Sequence, residues 1–458
     1  MTTHKKFLYL SLFCWVLTGC DKDAFLDKKP NTAIIIPSTL PELRSLLDNT
    51  QVFTYSPGLG EMGSDDYYMT ETNWQALPFV ERSSYTWESD LYGSQLNITD
   101  WTLPHQQILY ANIVLEQLEK NQPTAASKTE WNNIKGSAFF LRGFAMSNLV
   151  QHFAAAFDST SMTTTAGIPI RRNTNVHENV PRSSIKECYD SIFADLIRAT
   201  SLLSDAVPPI AKNRPSKPAA FAQLARMSIA SGQYEKARTY ADSCLGLYNY
   251  LTDYNTVSTT AVSPFDRSHA ETIYFSQAIS EYAVLFTTST TVFADTTLYR
   301  SYATNDLRRS IFFRVASGSN MGFKRGYTGT VLPFTGIATD EVWLIRAEAL
   351  AKTGQWQAGM ADLNNLLQKR WRSGTFTPLT AINATDALEK IRVERRKELV
   401  WRGHRWPDLK RYNKEGANIT LNRKLGSQTY TLLPGANKYI FAIPANEISM
   451  SGIIQNPR

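Results

Sequence analysis

The sequence predicts an all-α fold: a superhelix of stacked helix pairs with an irregular, loop-rich part laid against it. Three observations carry this expectation. Apolar residues recur at helical spacing over long stretches. One helix-pair motif occurs twice, at an offset of 122 residues. Stretches rich in Thr, Ser, Gly and aromatic residues separate these blocks.

The chain opens with Lys5 and Lys6, an apolar run over residues 7–17, and then Leu17-Thr18-Gly19-Cys20. A basic start, an apolar middle and a small-residue box form a secretion signal, and the run is shorter than the roughly 20 residues of a spanning helix. A small residue directly before cysteine resembles the cleavage box of bacterial lipoproteins, so residues 1–19 are expected to be removed and Cys20 acylated. Residues 20–38 then read as a lipidated tether, because several acyl chains hold a protein at a membrane far more firmly than one. Removing residues 1–19 takes away two lysines and no acid, which brings the formal charge from +7 to +5. The remaining Lys and Arg are scattered rather than blocked, which argues against a nucleic-acid partner. Cys188 and Cys244 fall inside apolar helical patterns and read as buried thiols.

Ser38 or Thr39 is expected to cap a short helix through Leu43, Leu46 and Leu47. Residues 52–107 read as a loop-rich, aromatic region. From Ile108 the pattern turns helical, first through Leu109, Ile113, Leu115 and Leu118, then over residues 131–153, then over residues 184–204.

The duplicated motif follows. Phe221, Leu224, Ala225, Gly232, Tyr234 and Ala237 have the spacing of a tetratricopeptide repeat, and Trp343, Ala347, Gly354, Trp356 and Leu366 fall in the corresponding register. Ala225 and Ala347 stand where two helices approach closely, and Gly232 and Gly354 stand at the turn between them. Arg346 and Gly359 depart from the usual Leu and Ala. Helical repeats are thus expected over residues 108–250 and 340–370. The segment 252–338 reads as an insertion, with strand-like pieces at 272–275 and 284–286; insertions into such scaffolds collect on one face, often the binding face. The C-terminal part, 386–458, carries a charged helix over 386–402, the run Arg405-Trp406-Pro407-Asp408-Leu409-Lys410-Arg411, and a closing strand over 439–444.

Taken together, these pieces resemble the SusD/RagB family of outer-membrane nutrient-binding lipoproteins. The resemblance rests on Cys20, Tyr110-Ala111-Asn112, residues 138–142, Gly167-Ile168-Pro169, the repeat at 218–245 and Arg346-Ala347-Glu348-Ala349. It continues in Glu394-Arg395-Arg396-Lys397-Glu398-Leu399, Arg405-Trp406 with Asp408-Leu409 and Arg411, and Gln455-Asn456-Pro457. It makes residues 39–458 one SusD-like domain and implies four tetratricopeptide-like units under an irregular ligand-binding part. It further implies a lid-like position on a SusC-like TonB-dependent transporter, with a glycan or, less often, a peptide as ligand, at the outer membrane and facing the cell exterior. The arginines of the C-terminal run are expected to pair with acids and serve the fold.

No catalytic signature stands up. Gly58-x-Gly60-x-x-Gly63 fits a dinucleotide pattern but follows Thr54-Tyr55-Ser56-Pro57 and opens no βαβ unit. No metal-ligand spacing occurs among the histidines, and no cofactor is expected. Asp65 and Asp66 could imitate a glycosidase pair only at a separation the sequence does not reveal. The chain is therefore read as a non-enzymatic glycan-binding protein, the alternatives being peptide binding on the same scaffold or a purely structural lipoprotein. Sugar rings stack on flat side chains while their hydroxyls bond to Asp, Asn and Arg. Trp74 and Tyr92 are the leading candidates, followed by Trp87, Tyr68, Asp66 and Asn73 in the first loop region and by Tyr299, Arg300, Tyr302 and Lys324 in the inserted segment.

Overall fold

A computed structural model describes residues 37–210, 212–283, 286 and 290–458. The signal, Cys20 and most of the tether lie outside the described residues, as do Val284 and Leu285 of the second strand-like piece. Residues Thr39–Arg458 form one unit.

Helix α1 (Leu40–Leu47) opens on a capping box, with Glu42 N–H donating to the Thr39 hydroxyl and Thr39 N–H donating to the Glu42 carboxylate. Helix α2 (Thr99–Lys120) begins nine residues before Ile108 and carries Pro104 inside it. A proline this near the start removes a single early bond, so the helix survives it. Trp101, expected in a loop, is buried on this helix. Then come α3 (Lys128–Phe153) and α4 (Ile185–Leu202), the latter opened by a second capping box of Ser184 and Glu187. Helices α5 (Lys217–Ala230) and α6 (Tyr234–Leu247) form the first repeat copy. After the short α7 (Thr296–Arg300), α8 (Thr339–Lys352) and α9 (Trp356–Gln368) form the second. Helices α10 (Ala384–Glu398) and α11 (Arg405–Lys414) follow.

Packing runs serially: α2 on α3, α3 on α4, α4 on α5, α5 on α6, α6 on α8, and α8 on both α9 and α10. This is the expected all-α, tetratricopeptide-like stack. Gly232 and Gly354 close the first helix of each copy with φ of +70° and +84°, where a side chain would be strained. Both departures from the repeat pattern have physical causes. A Cβ on Gly359 would stand 2.6 Å from the carbonyl oxygen of Ala347, so α9 approaches α8 too closely for alanine. Arg346 binds Asp362 on α9 at 2.7 and 2.8 Å and Asp242 on α6 at 3.2 Å, and its guanidinium lies over Trp343. It ties the two copies together by charge where leucine would do so by packing.

Among the described residues the strands pair only two at a time. Three of these antiparallel pairs matter here: β1 (Tyr67–Tyr68) with β2 (Phe293–Ala294), β3 (Phe313–Ser317) with β4 (Asn320–Phe323), and β5 (Leu421–Leu425) with β6 (Gln428–Leu432). The piece at 272–275 does form a strand, Thr272–Tyr274. The closing strand expected at 439–444 does not form. There the Phe441 N–H donates to His152 O and the Ile443 N–H to the Gln455 side chain, while the Asn456 amide donates to Phe153 O and Phe441 O. Side chains of the Gln455-Asn456 tail thus satisfy backbone groups that a ladder would otherwise pair.

The C-terminal run is structural as well as charged. Arg395 pairs with Asp408 at 2.7 Å, Arg411 with Glu348 at 2.7 Å, and buried Arg308 with Asp306, Glu394 and Glu398 at 2.6–3.0 Å. Trp406 is buried, and Gly60 and Gly63 lie against it: a Cβ on Gly63 would stand 2.8 Å from the indole. Gly60 and Gly63 of the dinucleotide-like pattern therefore make room for a tryptophan, and Gly58 for the Tyr282 ring, rather than for a phosphate. Cys188 and Cys244 are free and buried.

Candidate functional site

Tyr68 is the point where three distant segments meet. It lies on β1 opposite Phe293 of β2, with the two rings 5.5 Å apart, and its hydroxyl donates to the Asn320 side chain on β4 at 2.8 Å. Beside it opens a cleft of about 400 Å³, lined by Asp65, Tyr68, Asp295, Arg396, Asn422 and Lys424 among others. The strand pairing of residues 67–68 with 293–294 holds the N-terminal segment to the inserted one, and β5 brings the C-terminal part alongside. Carboxylate, amide, phenol and ammonium groups thus converge around one half-buried ring, as a polyhydroxylated ligand requires.

Buried charge fixes the floor. Arg405 grips Asp65 through two bonds of 2.6 and 2.9 Å, and Arg396 reaches Asp65 at 3.2 Å and Asp66 at 3.0 Å. Burial works against ionisation of Asp65, but Arg405 and Arg396 outweigh it and hold its pKa below the usual carboxylate range. Asp66, more deeply buried, is instead raised, burial exceeding the pull of Arg396. Glu61 is pushed up to about 8 by burial, with Asp66 adding to the rise, and it accepts from the Gly403 N–H at 2.7 Å. In the cleft wall, Arg423 sits 3.6 Å from the centre of the Tyr85 ring and 4.8 Å from that of Trp87, and donates to the carbonyl oxygens of Met62 and Ser64.

A second cleft of about 580 Å³ adjoins the first and shares Thr297 and Arg396 with it. It runs between α7, α10 and α11, lined by Ser301, Glu389, Arg392, Val393, Arg396 and Arg405 among others. Among the described residues no group of three or more His, Cys, Asp or Glu side chains is placed to hold a metal ion.

The residues singled out from sequence divide. Tyr68 lines the first cleft, and Trp87 forms part of its wall. Trp87 is buried, with its indole N–H on Gly63 O and a left-handed φ of +54°. Asp66 is buried in its ion pair beneath. Tyr92 and Tyr302 are core residues: their hydroxyls donate to Ala442 O and Lys397 O, at 2.7 Å in each case. Trp74 is half-buried near Tyr430, its indole N–H on Arg82 O, outside both clefts. Asn73 holds the carbonyls of Thr290 and Thr291, and Lys324 holds Thr259 O. Tyr299 accepts from Arg309 at 3.2 Å, and Arg300 is exposed; neither lines the clefts. Sequence reasoning missed Arg392, Arg396, Arg405, Asn422 and Lys424 as cleft residues. The i, i+4 spacing of Arg392 and Arg396 puts both on one face of α10, a signal that was there to be used.

Comparison with known proteins agrees with this architecture. Residues 24–229 match the sequence model of a SusD-like family described as starch-binding and associating with the outer membrane, and residues 334–458 match that of the SusD family. No curated protein sequence matches the chain. Among solved structures, a SusD-like carbohydrate binding protein from Bacteroides vulgatus shares 21% identity at a TM-score of 0.71, covering 91% of this chain and 97% of its own. A SusD superfamily protein from Bacteroides thetaiotaomicron shares 19% at 0.73, covering 92% and 100%. A SusD-like protein from Bacteroides fragilis shares 16% at 0.70, covering 92% and 97%. With both ends of the chain matching one family and the whole stack superposing on its members, this chain belongs to the SusD/RagB family.

Proposed function

We propose that this protein is a lipoprotein of the outer membrane, anchored through Cys20 and facing the cell exterior. It captures an oligosaccharide in the paired clefts and passes it, without cleaving it, to a SusC-like TonB-dependent transporter. The observation that carries the reading is the convergence on Tyr68 of Asp65, Asp295, Asn422 and Lys424, from three segments of the chain, around one accessible ring. An aromatic face with hydrogen-bonding groups at its edge suits a sugar, whose C–H face is apolar and whose rim is not. The solved relative from Bacteroides vulgatus described as a carbohydrate binding protein supports the ligand class. Among the described residues no helix is long and apolar enough to cross a membrane.

The test is calorimetric titration of the full-length protein in detergent with a panel of neutral and acidic polysaccharides and with a peptide library. Glycan binding that Tyr68→Ala weakens supports the reading; binding to peptides alone, or release of sugar products, overturns it. Co-purification of a large β-barrel with the tagged protein tests the transporter partnership.

A further inference from the structure

Three arginines of the second cleft share one arrangement. Arg392 donates through Nε to Glu348 at 2.9 Å and through Nη2 to Glu415; Arg405 donates through Nε and Nη2 to Asp65. Arg396 donates through Nε to Asp66 at 3.0 Å and through Nη2 to the Asp65 carbonyl at 2.8 Å. In each, one edge of the guanidinium is fixed by an acidic residue, and Nη1 makes no hydrogen bond among the described residues. None of the three Nη1 atoms is sealed from solvent, and all three residues line the same 580 Å³ cleft.

An ion-paired arginine is usually spent on its partner. Here Glu348 and Asp66 are fully buried behind the wall, so these carboxylates orient Arg392 and Arg396, and the charged side chains that line the space are cationic except for one. Arginine is suited to this double use, because a planar fork held along one edge can still donate along the other. Since the side chains are already ordered, little rotamer freedom is lost when a ligand arrives. One group opposes the arrangement: Glu389 lines the cleft, is exposed, and has no ion-pair partner among the described residues.

We infer that the second cleft is an anion subsite, taking the carboxylate of a uronic acid or the sulfate ester of a sulfated sugar through the free Nη1 groups of Arg392, Arg396 and Arg405. Because Arg396 and Thr297 line both clefts, one oligosaccharide can place a ring on Tyr68 and an acidic residue further along. The inference rests on the glycan reading above and narrows it to acidic glycans.

The test titrates the full-length protein in detergent with oligogalacturonate, with a sulfated galactan, and with the desulfated galactan as the neutral control. At least one acidic ligand should bind about tenfold more tightly than the neutral control, an advantage that shrinks as salt is raised from about 50 to about 500 mM. Val393→Glu, at an exposed position on the cleft wall, should weaken the acidic ligand about tenfold more than it weakens the neutral one. Glu389→Gln should strengthen the acidic ligand about threefold. Which acidic ligand responds distinguishes carboxylate from sulfate. Equal binding of acidic and neutral ligands, unchanged by Val393→Glu, overturns the anion subsite and leaves the glycan reading standing. Silence toward all three and toward the wider polysaccharide panel overturns the glycan reading itself.

Discussion

Replacing Gly359 by alanine restores the residue usual in a tetratricopeptide repeat and should nevertheless destabilise this protein. In a helix interior, alanine is favoured over glycine by about 1 kcal/mol. Against this stands the added Cβ, 2.6 Å from the carbonyl oxygen of Ala347, with the Ala351 nitrogen at 3.4 Å. Both neighbours are backbone, so no rotamer change relieves the contact and α9 must move bodily away from α8. Overpacking of this kind costs about 1–3 kcal/mol, which leaves a net loss of up to about 2 kcal/mol after the gain in helix propensity. Gly246 provides the control. It lies in α6, where an added methyl group would meet nothing within 4 Å, so Gly246→Ala should stabilise by up to about 1 kcal/mol. Urea unfolding of the two variants beside the parent protein measures both effects. If Gly359→Ala proves as stabilising as Gly246→Ala, the close approach of α8 and α9 is wrong.

Three further outcomes are expected. Glu61→Gln should raise the melting temperature by about 2 °C at pH 8.5 and by less at pH 5. With its folded pKa of about 8 above the ordinary 4.5, Glu61 keeps its proton in the folded state while the unfolded chain loses it, so its contribution to stability falls as pH rises from 4.5 to 8. Melting scans of both proteins across that window would expose the opposite slope. Tyr92→Phe should lose about 1 kcal/mol of stability and leave glycan affinity unchanged, because the hydroxyl is spent on Ala442 O; Tyr68→Ala, which also gives up the Asn320 bond and the Phe293 contact, should lose stability and glycan affinity together, and calorimetry with urea unfolding separates the two patterns. Arg308→Met should cost about 3–5 kcal/mol in urea unfolding, since it leaves Asp306, Glu394 and Glu398 buried around an apolar side chain.

The scaffold was legible wherever the signal is local. The Ala and Gly positions of both repeat copies follow from helix contact and turn geometry, and the apolar stripe over residues 184–204 coincides with α4, Ile185–Leu202. Pro104 concealed the first turns of α2 because proline normally ends a helical pattern. The candidate site was less legible, for a reason visible in Tyr92 and Tyr302. Both sit among polar and turn residues in sequence, and both are buried because a backbone carbonyl 350 or 95 residues away accepts the hydroxyl. Polar surroundings along the chain do not report partners that far off. The same distance hid the cleft arginines, whose orienting acids Asp65, Asp66 and Glu348 come from other parts of the chain.

The bed that Gly60 and Gly63 form for Trp406, beside the Asp65 to Arg405 clamp, sets the order in which this protein can mature. These partners stand 340 residues or more apart, and closing so long a loop is an entropic cost that falls late in folding. The stack from α2 to α6 is built from near neighbours and can consolidate while the rest of the chain is still being delivered. The clefts can form only after α11 has arrived, so a chain interrupted before residue 405 would hold its repeats and lack its binding surface. Ligand competence thereby reports that the chain has been delivered past Lys424.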